Sequence, residues 1–318
     1  PPTRLIDFEA SLNVYGNTGF RPFDTLHADG NIKPYRAWMR YSTNQFELRL
    51  GLQKINFGSA NMLRPLMWFD QVDPRDPLQL TDGVWGLLAR YYFLNNANLW
   101  LWGLWGNTGS KTWEIGKTNQ KFPELGGRFQ NPVPRGEVAM SYHYRLADTR
   151  DFSDSTLIFT GIPENRFGVD GKWDLGVGLW LEAAWINKSK NVGFSTNQEI
   201  INMGVDYTFG IGNGLNVTFE SLLFALDSKP FAFSRKIVFS GLAANYPLGL
   251  FDNLSGIVYF DWTNNAAYNF VTWRKQFGKF DLFLMTYWNP DKYNLPNQEN
   301  SKVLYTGKGV QLMVVYNY

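Results

Sequence analysis

Glu199-Ile200-Ile201-Asn202-Met203-Gly204-Val205-Asp206-Tyr207-Thr208-Phe209 decides how the rest of the chain is read. Glu199, Ile201, Met203, Val205, Tyr207 and Phe209 fall on one face of an extended backbone, with Gln198, Ile200, Asn202, Gly204, Asp206 and Thr208 on the other. A period of two is the side-chain spacing of a β-strand, whose successive Cβ atoms point to opposite sides. One face is greasy and the other largely polar, so each strand divides an apolar medium from a polar one. Ile6, Phe8, Ala10, Leu12 and Val14 against Asp7, Glu9, Ser11, Asn13 and Tyr15 repeat the pattern. Phe46, Leu48, Leu50 and Leu52 against Glu47, Arg49, Gly51 and Gln53 repeat it again, and helical periodicity is hard to find anywhere.

Taking each alternating run as a strand and each Gly, Asn, Asp or Pro cluster as a turn gives sixteen strands. They lie near residues 3–15, 31–42, 45–55, 83–94, 97–106, 134–146, 152–160, 164–173, 175–187, 197–209, 213–226, 231–246, 253–264, 266–278, 279–290 and 305–318. The run at 152–160 is the weakest, because its Asp-Ser-Asp start reads equally well as a loop. Connections after even-numbered strands are mostly tight, as at Thr43-Asn44, Asn95-Asn96 and Gly278-Lys279, whereas several after odd-numbered strands are long, as at 56–82 and 107–133. An even strand count, loops of unequal length at the two ends and both termini at the short-turn end match a transmembrane antiparallel β-barrel. The expectation is therefore an all-β chain, one domain over residues 1–318, with about sixteen strands (14 or 18 remain open), short periplasmic turns and long extracellular loops.

Composition agrees. The 318 residues are 17% aromatic and only 18% charged, with a mean hydropathy of -0.28. The longest nearly unbroken apolar stretch, Leu99 to Gly106, is far short of a membrane helix. Thirty basic and 28 acidic residues, with no basic stripe, lack the footprint of a nucleic-acid partner. With no Cys and two His, the chain supplies neither a disulfide framework nor a usual transition-metal set, so no cofactor and no metal are expected. It starts Pro1-Pro2-Thr3, which leaves open whether a signal peptide has been removed.

Which face meets lipid is suggested by the aromatics, which crowd strand ends: Trp85 with Tyr91 and Phe93, Trp173 and Trp185, Tyr207 with Phe209, Phe260 with Trp262. Girdles of rings at two membrane interfaces produce that distribution. The C-terminal stretch Gly309-Val310-Gln311-Leu312-Met313-Val314-Val315-Tyr316-Asn317-Tyr318 alternates up to an aromatic last residue. In this the chain resembles Gram-negative outer-membrane β-barrel proteins, whose last strand closes with Phe, Trp or Tyr. That resemblance implies a bacterial outer-membrane location, contact with its lipids, and recognition of the last strand by the barrel-assembly machinery. A fainter similarity is to alginate-export-type porins, through Arg49-Leu50-Gly51-Leu52-Gln53, Trp68-Phe69-Asp70, Asp73-Pro74-Arg75-Asp76-Pro77 and a strand through Arg90. Leu52 stands where those families have Arg, so the resemblance carries the channel class and not the substrate.

If polar faces line a lumen, strand parity sorts the inward ionisable residues. Arg36, Arg40, Arg49 and Arg90, with Glu47 as the exception, form an expected basic wall, and Glu182, Asp206 and Glu220 an expected acidic wall about seven strands away. Opposed walls would set a transverse field that favours dipolar solutes; the alternative is that these charges pair and brace the barrel. The connection 56–82 carries Arg64, Asp70, Asp73, Arg75 and Asp76 and is either an inward constriction or an external loop. His143 and Ser141 share a face, but no Gly-x-Ser-x-Gly occurs and no catalytic set is expected.

The reading is a porin-like channel for passive diffusion of small hydrophilic solutes, charged or zwitterionic, and not an enzyme. Alternatives kept open are an anionic-polysaccharide or other substrate-specific exporter or importer, an outer-membrane lipid hydrolase, and a soluble β-sandwich or propeller. A homo-oligomer is compatible with the sequence, but no patch marks its interface.

Overall fold

Sixteen strands pair strictly in chain order, each antiparallel to the next, in one sheet. The computed structural model describes residues 5–19, 27–107, 109–148, 160–291 and 305–316. The strands are β1 (Ile6–Gly19), β2 (His27–Ser42), β3 (Phe46–Gln53), β4 (Val84–Tyr92), β5 (Asn98–Leu104), β6 (Glu124–Val133), β7 (Gly136–Ala147) and β8 (Ile162–Asp174). They continue as β9 (Gly178–Lys188), β10 (Asn197–Phe209), β11 (Leu215–Asp227), β12 (Arg235–Pro247), β13 (Asp252–Asp261), β14 (Ala266–Phe277), β15 (Phe280–Trp288) and β16 (Lys308–Tyr316). Every connection after an even-numbered strand is short, so one end of the sheet carries only turns. The segment joining β3 to β4 touches β2, β11 and β14 at once, through Thr81, Leu63 and Arg75, which only a sheet curled around it permits.

Alternation separates the two faces as the sequence predicts. On β10, Met203 (60%) and Tyr207 (44%) are exposed on the convex side, while Gln198, Ile200 and Asn202 are buried on the concave side. On β16, Val310 (70%), Leu312 (64%), Val314 (59%) and Tyr316 (56%) form an unbroken outward apolar row. So wide an apolar belt on an all-antiparallel sheet of polar interior is the surface of an outer-membrane β-barrel, whose convex side faces hydrocarbon.

Two strand assignments differ from the sequence reading. β6 falls in what reads as the loop 107–133, whereas the expected strand at 152–160 lies almost wholly outside the described residues, and β7 pairs directly with β8. The signal for β6 is weak because Gly126 and Gly127 interrupt its pattern. Gly126 lies under the Trp102 indole of β5, where a Cβ would collide with the ring. A large interior side chain thus dictates a small one on the neighbouring strand, and that constraint is invisible along a single run of sequence.

Candidate functional site: an eccentric passage beside an inward loop

The loop 54–83, between β3 and β4, folds into the concavity. Its apolar residues Ile55, Leu66, Trp68 and Phe69 are buried against Leu88, Trp102 and Leu104 of the wall. Phe57 stacks on Trp102 at 5.6 Å between centroids, and Trp68 is fully buried. The choice left open by the sequence is settled by this burial: the loop is internal.

Two wall carboxylates hold its backbone. Glu182 on β9 accepts the N–H groups of Ala60 (2.7 Å) and Leu66 (3.2 Å). Glu220 on β11 accepts those of Asn61 (2.6 Å), Met62 (3.1 Å) and Leu63 (2.6 Å). Asn202 closes the set by donating to the Leu63 carbonyl at 2.7 Å. Gly58, at φ 99°, runs so close to the Glu182 carboxylate that a side chain there would strike it.

A second inward segment, 111–118 between β5 and β6, backs the first. The Trp113 indole donates to the Arg64 carbonyl at 2.8 Å and stacks on Phe224 of β11, and Thr112 donates to the Asp70 carbonyl at 2.7 Å. Glu114 is buried amid Lys111 (3.0 Å), Arg166 (3.0 Å) and Arg145 (3.4 Å). Burial alone would raise its pKa, but those three cations outweigh it and bring it down to about 2. Asp70, by contrast, is pushed up by burial, with Arg64 3.6 Å away opposing the shift.

Together the two segments fill much of the interior facing β4–β10 and leave space beside β11–β15 that reaches Glu137 of β7 and Lys172 of β8. A cavity of about 740 Å³ runs between the loop and β11–β15. Its wall side is built from Ala243, Asn245, Ser255 and Thr272, and its loop side includes Ser59, Asn61 and Asp76. Amides, hydroxyls and small side chains leave such a space wet and able to hydrogen-bond a solute. Of its cations, Arg64, Arg75 and Arg274 already face Asp70, Asp73 (2.6 Å) and Asp281 (2.9 Å), whereas Lys54 and Lys172 make no close ion pair among the described residues. Asp76 and Glu137 line the same space with the opposite sign.

The expected opposition of walls needs correction. Glu182 and Glu220 point inward but lie under the loop, bonded to its amides, so neither faces open water. Arg36 is buried as well, its guanidinium donating to the Thr81 carbonyl and hydroxyl, where it pins the end of the loop. Asp206 sits among the short-turn residues, beside Tyr207 and Gly178. Arg40, Arg49 and Arg90 do gather, around Glu47 on the lumen side of β2–β4. Of the five loop residues, Arg64, Arg75 and Asp76 line the cavity, Asp70 is buried behind it, and Asp73 holds Arg75.

Sequence reasoning passed over Lys111, Glu114, Glu124 and Arg128, since all lie in a stretch read as a loop. His143 is committed through both nitrogens, Nδ1 accepting from the Trp102 indole (3.2 Å) and Nε2 meeting Glu124 (3.1 Å), while Ser141 meets Arg128. Serine and histidine on one face therefore do not form a nucleophile–base pair here.

No protein-family profile matches the chain, and no curated protein sequence matches it. Among solved structures the chain is similar to a mutant porin of Rh. blastica, at 13% identity over 98% of this chain and 100% of that one, with a TM-score of 0.47. It is similar to an anion-selective porin from Comamonas acidovorans at 13% identity over 90% and 75% of the two chains, with a TM-score of 0.46. A loop-deletion form of OmpT, an outer membrane protein of Vibrio cholerae, is similar at 10% identity over 84% and 96%, with a TM-score of 0.46.

Proposed function

We propose that this protein is an outer-membrane channel through which small hydrophilic solutes, charged or zwitterionic, diffuse passively along the space between the inward loop and β11–β15. The observation that carries the reading is that polar-lined cavity, bounded by a docked loop on one side and a wall of small polar residues on the other. A loop tied to the wall at Glu182 and Glu220 is a fixed constriction, and the balance of Lys54 and Lys172 against Asp76 and Glu137 favours solutes carrying both signs. The outward row on β16 suits the chain to assembly by recognition of its last strand.

Because the chain has no cysteine, a single thiol can be placed at will. Purified Ser255→Cys protein in a planar bilayer should give steady ohmic steps that shrink when a bulky thiol reagent is added. Thr112→Cys, behind the loop, should give steps that do not respond. Absence of steps from folded, inserted protein, or full labelling of Ser255→Cys without loss of current, would rule out passage through this space.

A further inference from the structure

The arginines gathered on β2–β4 stand apart from the passage, since none of them lines its cavity. Glu47 is the acceptor they share: Arg49 Nη2 lies 3.1 Å and Arg90 Nη1 3.4 Å from the same oxygen, Oε1. Arg40 approaches the other oxygen only to 3.8 Å, and it is otherwise engaged with Asp7 at 2.7 Å. Three guanidiniums thus meet two carboxylates. A guanidinium offers five donors and normally matches a carboxylate through two parallel N–H bonds. Arg49 and Arg90 each place a single terminal nitrogen on Glu47, and the other terminal nitrogens, Arg49 Nη1 and Arg90 Nη2, reach no acceptor among the described residues.

Neither group is sealed off, for both side chains keep 15% exposure toward the lumen. Nor is either free to swing. The Arg90 guanidinium carbon lies over the Trp100 ring at 3.9 Å from its centroid, and that of Arg49 over Trp38 at 4.6 Å. These ring contacts restrain both guanidiniums, and their Nε atoms are closed to water while the side chains keep some exposure. Held donors with no protein partner, a surplus of positive charge and access from water are the attributes of an anion site.

We infer that Arg49 and Arg90, with Arg40 beside them, form a binding site for a small solute bearing a carboxylate or phosphate group, separate from the passage itself. The anion bridges the two open guanidinium edges, opposite the shared Glu47 oxygen. Glu47 is then a resident competitor: it keeps the arginines aligned when the site is empty, and its charge weakens whatever binds. The inference depends on the channel reading only for the route by which a solute reaches the wall, and it names anions as one solute class.

Isothermal titration of the detergent-solubilised protein in low-chloride buffer, with inorganic phosphate and with succinate as separate probes, tests the site and tells phosphate from carboxylate. Saturable binding of either probe is expected. Arg49→Gln and Arg90→Gln should each weaken it at least tenfold, and the same loss should appear with Arg90→Lys, which keeps the charge but not the fork. Glu47→Gln should tighten binding, a gain that a purely bracing carboxylate would not give. No saturable heat from folded protein with either probe, equal affinity in the Arg49→Gln/Arg90→Gln double variant, or weaker binding in folded Glu47→Gln overturns the inference. Conducting protein that binds neither probe would defeat the anion site alone, whereas binding by a silent protein would defeat the channel alone.

Discussion

Glu220→Gln removes a charge from the carboxylate that collects the amides of Asn61, Met62 and Leu63, and it separates two accounts of what holds the loop. A neutral amide keeps one carbonyl acceptor and turns an NH₂ group toward donors, so one to two charge-assisted bonds are lost, about 2–4 kcal/mol in all. At about 1.4 kcal/mol per tenfold, loop undocking should become roughly 30- to 700-fold more frequent. The docked geometry is set elsewhere, by Ile55, Leu66, Trp68 and Phe69 against Leu88, Trp102 and Leu104. The main conductance step should therefore match that of the unaltered protein, while brief larger openings become much more common. Planar-bilayer recording of single channels reads both quantities at once. A main step that itself rises would show that the carboxylate, and not the apolar packing, positions the loop. The absence of both a new substate and any loss of stability would show that Glu220 is not a tether.

Trp68→Ala should destabilise the folded barrel by about 3–5 kcal/mol, the usual cost of emptying a fully buried Trp site, measured by urea unfolding in lipid vesicles. The Glu114 carboxyl, at about 2 in the folded chain, lies below its ordinary value of 4.5. Its contribution is present above pH 4.5 and is lost as pH falls through 2; the difference corresponds to about 3 kcal/mol. Protease protection of the 111–118 segment should fall over that window, and Glu114→Gln should flatten the fall while lowering protection at neutral pH, because Lys111, Arg145 and Arg166 lose their shared counter-charge. Alanine at Glu182 should act in the same direction as Glu220→Gln, and if the two tethers are coupled through the 60–66 backbone, the double variant will depart from the sum.

Strand parity carried most of the architecture, because lipid on one side and water on the other impose the same alternation on every strand, and β10 reads off residue by residue. β6 escaped because its inward side is set by β5: Trp102 needs the space that Gly126 leaves. The site was legible only in outline. Parity put Arg36, Glu182 and Glu220 correctly on the inner face, but it carries no information about what lies over them, and a backbone amide 122 residues away from Glu182 leaves no periodic trace. Carboxylates that look like a selectivity wall in one dimension prove to be hydrogen-bond acceptors for a buried loop.

Why the open space lies where it does follows from inward side-chain size. On β5 to β7 the inner face carries Trp100, Trp102, Arg128 and His143, which fill their side and give the loop rings to pack on. On β12 to β14 the inner face is bulky only away from the 248–251 and 278–279 turns, at Phe239, Tyr259, Tyr268 and Phe270; nearer those turns it carries Ala243, Ser255 and Thr272, paired across the strands as Ala243 with Ile257 and Ser255 with Thr272. Toward the short turns the loop therefore has apolar partners on the β5–β7 side and few on the β12–β14 side, and the open space lies where the inner side chains are small. A constriction made in this way is off-centre by construction. Exchanging the asymmetry, with Ala243→Phe and Ser255→Phe, should close the passage without moving the loop. Persistence of full conductance in that folded double variant would mean that solutes travel by another route.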